Sequence, residues 1–413
     1  MKVGIDFGTT NSAVAVAIDG IPRIVPLAPG EFVQRTVVHC DAQGTVRYGN
    51  AAFRSYVEAD LTGRFLRSLK AFLPQEVPAT TMGGRRMEFA DIVAGYLRFL
   101  IEATERQVGR AVTEVVLGRP VTFTGDPTSS DRAASALAAA AARAGITSFR
   151  FELEPVAAAR KYETTISNEQ IVLVGDFGGG TADFALLRVG PARIGAPDRA
   201  NDVLATSGVA LAGDALDGRF MDAFLMEAFG RGALFRERYT NSMVPWRSPL
   251  HHQVQKLYDI HRLRENSLER GLRMMEDRLL EPACAARMRR LIFDDLGYPM
   301  AWAIEAAKMR FAESDAVQFE FDAFFSPRLR IERQVTHAEF CASAAEITEK
   351  YGLAIDEVMR AAGLADTQVD NVFLTGGTSQ LRFVRDIFAQ RFGSALVDSR
   401  DSLTSVCEGL AVS

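Results

Sequence analysis

The chain has 413 residues, 48% hydrophobic and 24% charged, with a formal net charge of −5. That length predicts two to four units of about 100–200 residues, each burying a core, and the mild acidity gives no reason to expect a nucleic-acid or membrane partner. Four scattered cysteines (Cys40, Cys284, Cys341, Cys407) without a CxxC pair argue against a zinc site or disulfide framework, and no apolar run approaches the ~18 residues of a membrane span, so a cytoplasmic location is expected.

KVGIDFGTTNSAVAVAID (2–19) reads as strand, tight polar turn and strand, followed by short strands near 21–26 and within 35–48. FADIVAGYLRFLIEATERQVG (89–109) carries apolar residues at helical spacing and precedes a strand at 114–123. An alanine-rich helix is expected over 131–146, a strand over 149–155, and another helix from VAAARKYE. The opening pattern then returns. IVLVGDFGGGTADFALLRV (171–189) is strand, three glycines and strand, with strand-like alternation near 203–211.

DFGTT (6–10) and DFGGGT (176–181) each set an Asp at a strand end ahead of glycine and threonine, an internal repeat that suggests two related domains facing one cleft. Residues 219–313 are helical by pattern, with thirteen Arg or Lys against seven Asp or Glu between 231 and 290. Such a segment is either a solvated helical hairpin or a basic docking surface. Strands are expected at 317–323 and 328–334, then a capping box of Thr336 and Glu339 opening a helix at 338–349. VDNVFLTGGTSQ (369–380) is a strand turning at glycines into a helix, and SVCEGLAV (405–412) closes the series.

Consecutive glycines let a backbone approach an anion closely and turn its N–H groups inward. Asp176 can then hold a Mg²⁺-bound water and the Thr181 hydroxyl can meet a terminal phosphate; the alternative is a glycine-rich hairpin turn over a buried Asp. Residues 6–10 supply a second carboxylate and two hydroxyls, so two hairpins can grip one phosphate chain from opposite sides. In VFLTGGTSQ the Gly-Gly step can pass under a base or ribose, or be an ordinary strand–helix turn.

VGIDFGTTNSAVAV, VVLGRPVTF, FELEPVAAARKYE, LVGDFGGGTADFALLRV, EAAKMRF and VFLTGGTSQLRFVRDIF resemble, in order and spacing, the signatures of the ATPase domain of heat-shock protein 70 chaperones. The resemblance implies an α/β, actin-like (ribonuclease H-like) ATPase fold, with two duplicated lobes around a nucleotide cleft: lobe I at 1–165, and lobe II at 166–413 with a helical, Arg-rich subdomain at about 219–313. It implies ATP or ADP with Mg²⁺. Asp6, Asp176 and Glu154 would hold the metal, mainly through water. Thr9 and Thr10, between Gly8 and Asn11, would contact phosphates opposite Gly178, Gly179 and Gly180, with Thr181 near the γ-phosphate. Lys70, in RSLKAFLP, would stabilise charge on the transferring phosphoryl group and orient the attacking water.

Gly213 and Asp214 resemble the family's ribose region loosely, because Ala212 stands where a first glycine is expected. Glu305 and Lys308 match a helix that clamps adenosine. Met309 replaces the arginine expected to stack on the base and Ala312 the serine that contacts it, with Arg310 adjacent. Gly376 and Gly377 match the adenosine motif, although Gln380 replaces an arginine. The resemblance thus implies a slow, switch-like ATP hydrolase of the chaperone type. The chain stops at Ser413, where conventional members continue, so a form without its own peptide-binding domain, acting through a protein partner or co-chaperone, is expected. A nucleotide-gated scaffold or filament protein of the bacterial actin kind, and a small-molecule kinase of the sugar-kinase type, are the alternatives.

Overall fold

The structure is a computed structural model and describes residues 1–75, 79–194, 196, 199–237, 239–323, 329–398 and 404–413. Along the strand Lys2–Phe7, Val3, Ile5 and Phe7 are fully buried, so the period-two pattern fixes which face meets the core. This strand pairs antiparallel with Asn11–Ile18 and parallel with Glu114–Arg119. Its sheet runs in the order Phe149–Leu153, Glu114–Arg119, Lys2–Phe7, Asn11–Ile18, Ile21–Ile24, with Val33–Arg35 also pairing to Asn11–Ile18.

A second sheet repeats the arrangement. Gln170–Phe177 pairs antiparallel with Ala182–Val189 and parallel with Asn371–Thr375. The order is Val203–Val209, Ala182–Val189, Gln170–Phe177, Asn371–Thr375, Val397–Asp398. Each central strand therefore has a hairpin partner on one side and a crossover partner on the other, and the sequence repeat appears as a repeat of topology.

The helices Glu154–Glu163 and Ser405–Val412 pack against each other and the sheets because glycines remove the side chains that would hold them apart. A Cβ on Gly409 would lie 1.7 Å from Ala157 O, and one on Gly4 would lie 2.4 Å from Ala411 N. The apolar cluster around them joins Val116 of the first sheet to Val172 and Val174 of the second through Val156 and Leu410.

The chain forms two compact units, Met1–Gly213 with Thr348–Ser413, and Asp214–Ile347. The first holds both sheets. The second holds the helices Asn266–Glu276, Pro282–Phe293 and Gly297–Arg310 and the strand pair Ala316–Ala323 and Leu329–Thr336, over buried residues that include Phe229, Met288, Ile304 and Phe311. Among the described residues no helix is long and apolar enough to cross a membrane.

Several element bounds differ from the sequence expectation for identifiable reasons. The strand expected over 114–123 stops at Arg119, since Pro120 has no N–H to give the ladder. The strand expected over 149–155 stops at Leu153, and Glu154 and Pro155 open the next helix, where proline suits the first turn. The alanine-rich helix runs Pro127–Arg143, starting a turn early because the Asp126 carboxylate caps it, accepting from Ser129 N at 2.9 Å. The helix expected over 338–349 runs His337–Ala362; Glu339 Oε2 accepts from Thr336 N at 2.8 Å and Thr336 Oγ1 from Glu339 N at 3.2 Å, the reciprocal capping box.

Residues 219–313 are not helical throughout. Gly230 and Gly232, at φ 91° and 80°, interrupt the helices and lead into a hairpin of Leu234–Arg236 and Met243–Pro245. Residue 328, expected to start a strand, and Arg238 of the basic segment lie outside the described residues.

The contact at Gly409 yields a direct expectation. Gly409→Ala forces the helix Ser405–Val412 off Ala157 and costs about 1–3 kcal/mol or more. Urea unfolding checks this, and an unchanged midpoint contradicts the packing argument.

Candidate functional site

Both hairpins turn through four residues, 8–11 and 178–181, between the closing pairs Phe7 with Ser12 and Phe177 with Ala182. Gly8 is required there, because a Cβ would lie 2.2 Å from Asn11 O. In the second turn Gly178 N donates to Thr181 O at 3.0 Å, while Gly178 O accepts from Gly213 N at 3.2 Å and Thr378 Oγ1 at 3.3 Å. The two turns face each other. A Cβ on Gly179 would lie 2.5 Å from Thr10 Oγ1, and one on Gly180 3.3 Å from Thr9 Oγ1. Two hydroxyls thus oppose bare glycine backbone, the chemistry of an anion cradle. Gly376, at φ 82°, passes against the same strand end, where a Cβ would lie 2.2 Å from Phe177 O; Gly377 begins the short helical turn that follows.

Asp6 and Asp176 stand at the ends of the strands that carry these turns. Lys70 sits on the short helix Leu69–Phe72, entered through Ser68 in the left-handed conformation at φ 50°. Its Nζ donates to Glu154 Oε1 in an ion pair whose side chains are 7% and 8% exposed. Glu154 opens the helix Glu154–Glu163, and Lys70 comes from 84 residues away in the chain.

Asp183, which the sequence reading passed over, belongs to this group. It lies directly opposite Asp176 in the antiparallel register, so both carboxylates share one face of the sheet. Its Oδ1 accepts from Val121 N at 2.8 Å and Thr122 N at 3.3 Å, while the buried Oδ2 has no hydrogen-bond partner. The signal was present in the register: with the turn at 178–181, residue 183 must face 176.

Burial, reinforced by Glu154 and opposed by Lys70, pushes the Asp6 carboxyl up to about 7. Burial and Glu154 push Asp183 up to about 7 as well. Asp176 is held well above the usual carboxylate range by burial, then Glu154, Asp6 and Asp183. Burial works against the Lys70 ammonium, but Glu154 and Asp6 outweigh it and raise its pKa. Four carboxylates share one ammonium, and an added cation would relieve the deficit. Among the described residues no three of His, Cys, Asp and Glu are grouped closely enough to ligate a metal directly.

In the second unit, Lys308 Nζ donates to Asp217 Oδ1 at 2.6 Å, each side chain 4% exposed, a pairing the sequence reading missed. Glu305 and Met309 lie half-buried on the same helix, and Ala312 follows it. Arg310 donates to Gln318 O at 2.6 Å, and Asp214 is in the first turn of the helix Gly213–Phe220. Several charges of the basic segment are settled internally: Arg231 with Asp222, Arg264 with Asp295, Arg289 with Glu276 and Arg290 with Asp294.

Twin sheets of identical pairing, each opening with an Asp–Phe–Gly hairpin, define an actin-like ATPase fold. The profile of the family described as Hsp70 protein matches residues 73–238 and 299–413, well over half of the chain. The chain belongs to the Hsp70 family.

It is 32% identical over 229 residues to chaperone protein dnaK3 of Thermosynechococcus vestitus, covering 50% of this chain and 32% of that protein. The chaperone protein dnaK of Cyanidioschyzon merolae is likewise 32% identical over 229 residues, covering 50% of this chain and 35% of its own length. Chaperone protein DnaK of Thermus thermophilus is 26% identical over 415 residues, covering 95% of this chain and 57% of its own length. The chain thus spans between a third and just over half the length of these relatives.

The raised carboxyls set a pH dependence. With Asp6 and Asp183 at about 7 in the folded protein against 3.8 unfolded, the native state keeps protons that the unfolded chain has released. Stability of the metal-free protein therefore falls as pH rises from about 4 to about 7 and levels off above. Urea unfolding across that range tests it, with a shallower slope expected in Asp183→Asn; the same slope in both proteins contradicts the assignment.

Proposed function

We propose that this chain is an ATP-binding, Mg²⁺-dependent ATPase of the Hsp70 type, with lobes at 1–165 and 166–413. The observation that carries the reading is the apposition of Thr9 and Thr10 to Gly179 and Gly180 at the ends of the strands bearing Asp6 and Asp176. When bound, Mg²⁺ supplies positive charge beside the transferring phosphoryl group. Asp6, Asp176 and Glu154 orient its water shell, and the open Asp183 Oδ2 offers a further acceptor. Lys70 keeps its proton, and its pairing with Glu154 fixes where that charge stands. Thr181 lies at the γ-phosphate end of the glycine turn, and Asn11 completes the first turn. Rate enhancement is positioning and electrostatics.

We extend the proposal to Gly213 and Asp214 as ribose contacts, and to Gly376, Gly377, Glu305 and Lys308 as adenosine contacts, with the Lys308 ammonium steadied by Asp217. The relatives' names support a chaperone role, so the output we propose is a nucleotide-dependent switch, slow in turnover, read by a protein partner such as a co-chaperone in the cytoplasm. No specific observation favours the filament or sugar-kinase reading.

Phosphate release with ATP and Mg²⁺ tests the mechanism. Asp176→Asn is expected to lower turnover by at least about a hundredfold while leaving the fold intact, since it removes an acid that burial already disfavours. Lys70→Ala is expected to abolish turnover too, and to cost about 3–5 kcal/mol of stability because Glu154 is left buried without its partner. Near-normal turnover in both variants overturns the reading.

The base end makes a separate expectation. Met309 lacks the planar cation of an arginine, and Ala312 lacks a hydroxyl. Calorimetry is expected to find ATP and GTP affinities within about tenfold, a difference of about 1.4 kcal/mol; strong ATP selectivity contradicts it.

A further inference from the structure

The hairpin of Leu234–Arg236 and Met243–Pro245 exposes one face that nothing in the nucleotide reading uses. Phe235 and Val244 turn inward, while Leu234, Arg236, Met243 and Pro245 are all exposed. A third segment extends this face: Arg236 N donates to Arg278 O at 3.1 Å, and Leu280 N to Leu234 O at 3.0 Å. Leu279 is bridged to Phe235 and buried, so Leu280 lies on the outward side. Leu280 is 62% exposed, Leu234 43% and Met243 37%.

The arginines here differ from several others in this unit. Arg236 and Arg278 have no carboxylate partner among the described residues, unlike Arg231, Arg264, Arg289 and Arg290. Arg278 is nevertheless held in place: Nη2 donates to Arg236 O at 3.0 Å, and the guanidinium stacks 5.1 Å from the centre of the Phe235 ring. Its side chain is half-buried against Phe235, and no carboxylate among the described residues pairs with it. The nearest acids in sequence do not neutralise the patch. Glu237 accepts from the Thr240 hydroxyl, and neither Asp277 nor Glu281 pairs with Arg236 or Arg278.

We propose that this face is a docking surface for an acidic protein segment carrying apolar side chains. Exposed apolar area beside unpaired arginines matches the composition of protein interfaces, in which arginine is enriched. The chemistry favours a protein over a nucleic acid, since a phosphate backbone gains nothing from the exposed Leu234, Met243 and Leu280. Met243, Arg278 and Leu280 lie in 239–298, which the Hsp70 profile leaves unmatched, whereas Leu234 and Arg236 lie within the matched 73–238.

The test uses the whole chain and a fluorescein-labelled synthetic peptide in which glutamate alternates with leucine, read by anisotropy. Wild type is expected to bind, added salt to weaken binding, and a lysine–leucine peptide of equal length not to bind. Arg236→Glu with Arg278→Glu is expected to weaken binding about tenfold or more, and Leu280→Ser to weaken it independently. Thermal melts verify the fold, and the neutral pair Arg236→Gln with Arg278→Gln gives the same direction if charge reversal unfolds the hairpin. No binding by wild type, or equal binding by the folded variants, overturns the proposal. So does an RNA oligonucleotide or phosphatidylserine vesicle that binds more tightly than the peptide and loses affinity with the same substitutions.

Discussion

The buried ion pair of Lys70 and Glu154 is the interaction on which the candidate site depends. Burying either charge alone costs several kcal/mol, so each fixes the other. Glu154 is positioned by the helix it opens and by Gly118, where a Cβ would lie 3.2 Å from Glu154 Cγ. That helix is in turn set by its contact with Gly409. A chain of close approaches, possible only because side chains are missing at chosen points, thus ends in one lysine nitrogen. The one ammonium, paired with Glu154, only partly offsets Asp6, Asp176 and Asp183. The shortage of positive charge is built in, and a cation brought with a ligand has a favourable place to go.

The duplicated hairpins are alike in backbone and unlike in chemistry. Asp176 faces Asp183 across the second hairpin, whereas Asp6 faces Ala13 across the first. One hairpin concentrates acid and the other supplies threonine hydroxyls, Thr9 and Thr10, toward Gly179 and Gly180. Two copies of one motif thereby make an asymmetric cradle, suited to the phosphate chain proposed for it.

The two hairpins were legible in the sequence because tight turns demand glycine and strands buried on both faces demand near-continuous apolar runs, both local constraints. The Thr336 and Glu339 cap was legible for the same reason. Strand ends were less so: Pro120 stops its ladder through a missing donor, and Gly230 and Gly232 break what the charge pattern presented as continuous helix. Contacts between distant residues were not readable from pattern at all. Lys70 and Glu154 were nominated only by resemblance, and no periodicity reports that they touch. Asp183 lies two residues beyond the glycine turn, and only the antiparallel register brings it opposite Asp176. Asp217 was missed because its partner Lys308 lies 91 residues away, and only the fold of the second unit joins them.

The second unit treats charge in two ways, and the contrast carries information. Arg231, Arg264, Arg289 and Arg290 sit against carboxylates, where each pair roughly offsets its own desolvation and adds little to stability. On the hairpin face, Arg236 and Arg278 stay unmatched beside leucines that water does not favour. Neither feature stabilises the fold, since exposed apolar area forgoes burial and an unpaired guanidinium forgoes its Coulomb partner. Scattered singly, such residues need no explanation; aligned on one small sheet by backbone pairing, they form a surface whose free energy improves only on contact. In the reading proposed here, the facing turns are completed by a cation and the hairpin face by a partner. The first shortage answers to metal and pH, the second to salt and apolar contact, so each can be removed without touching the other.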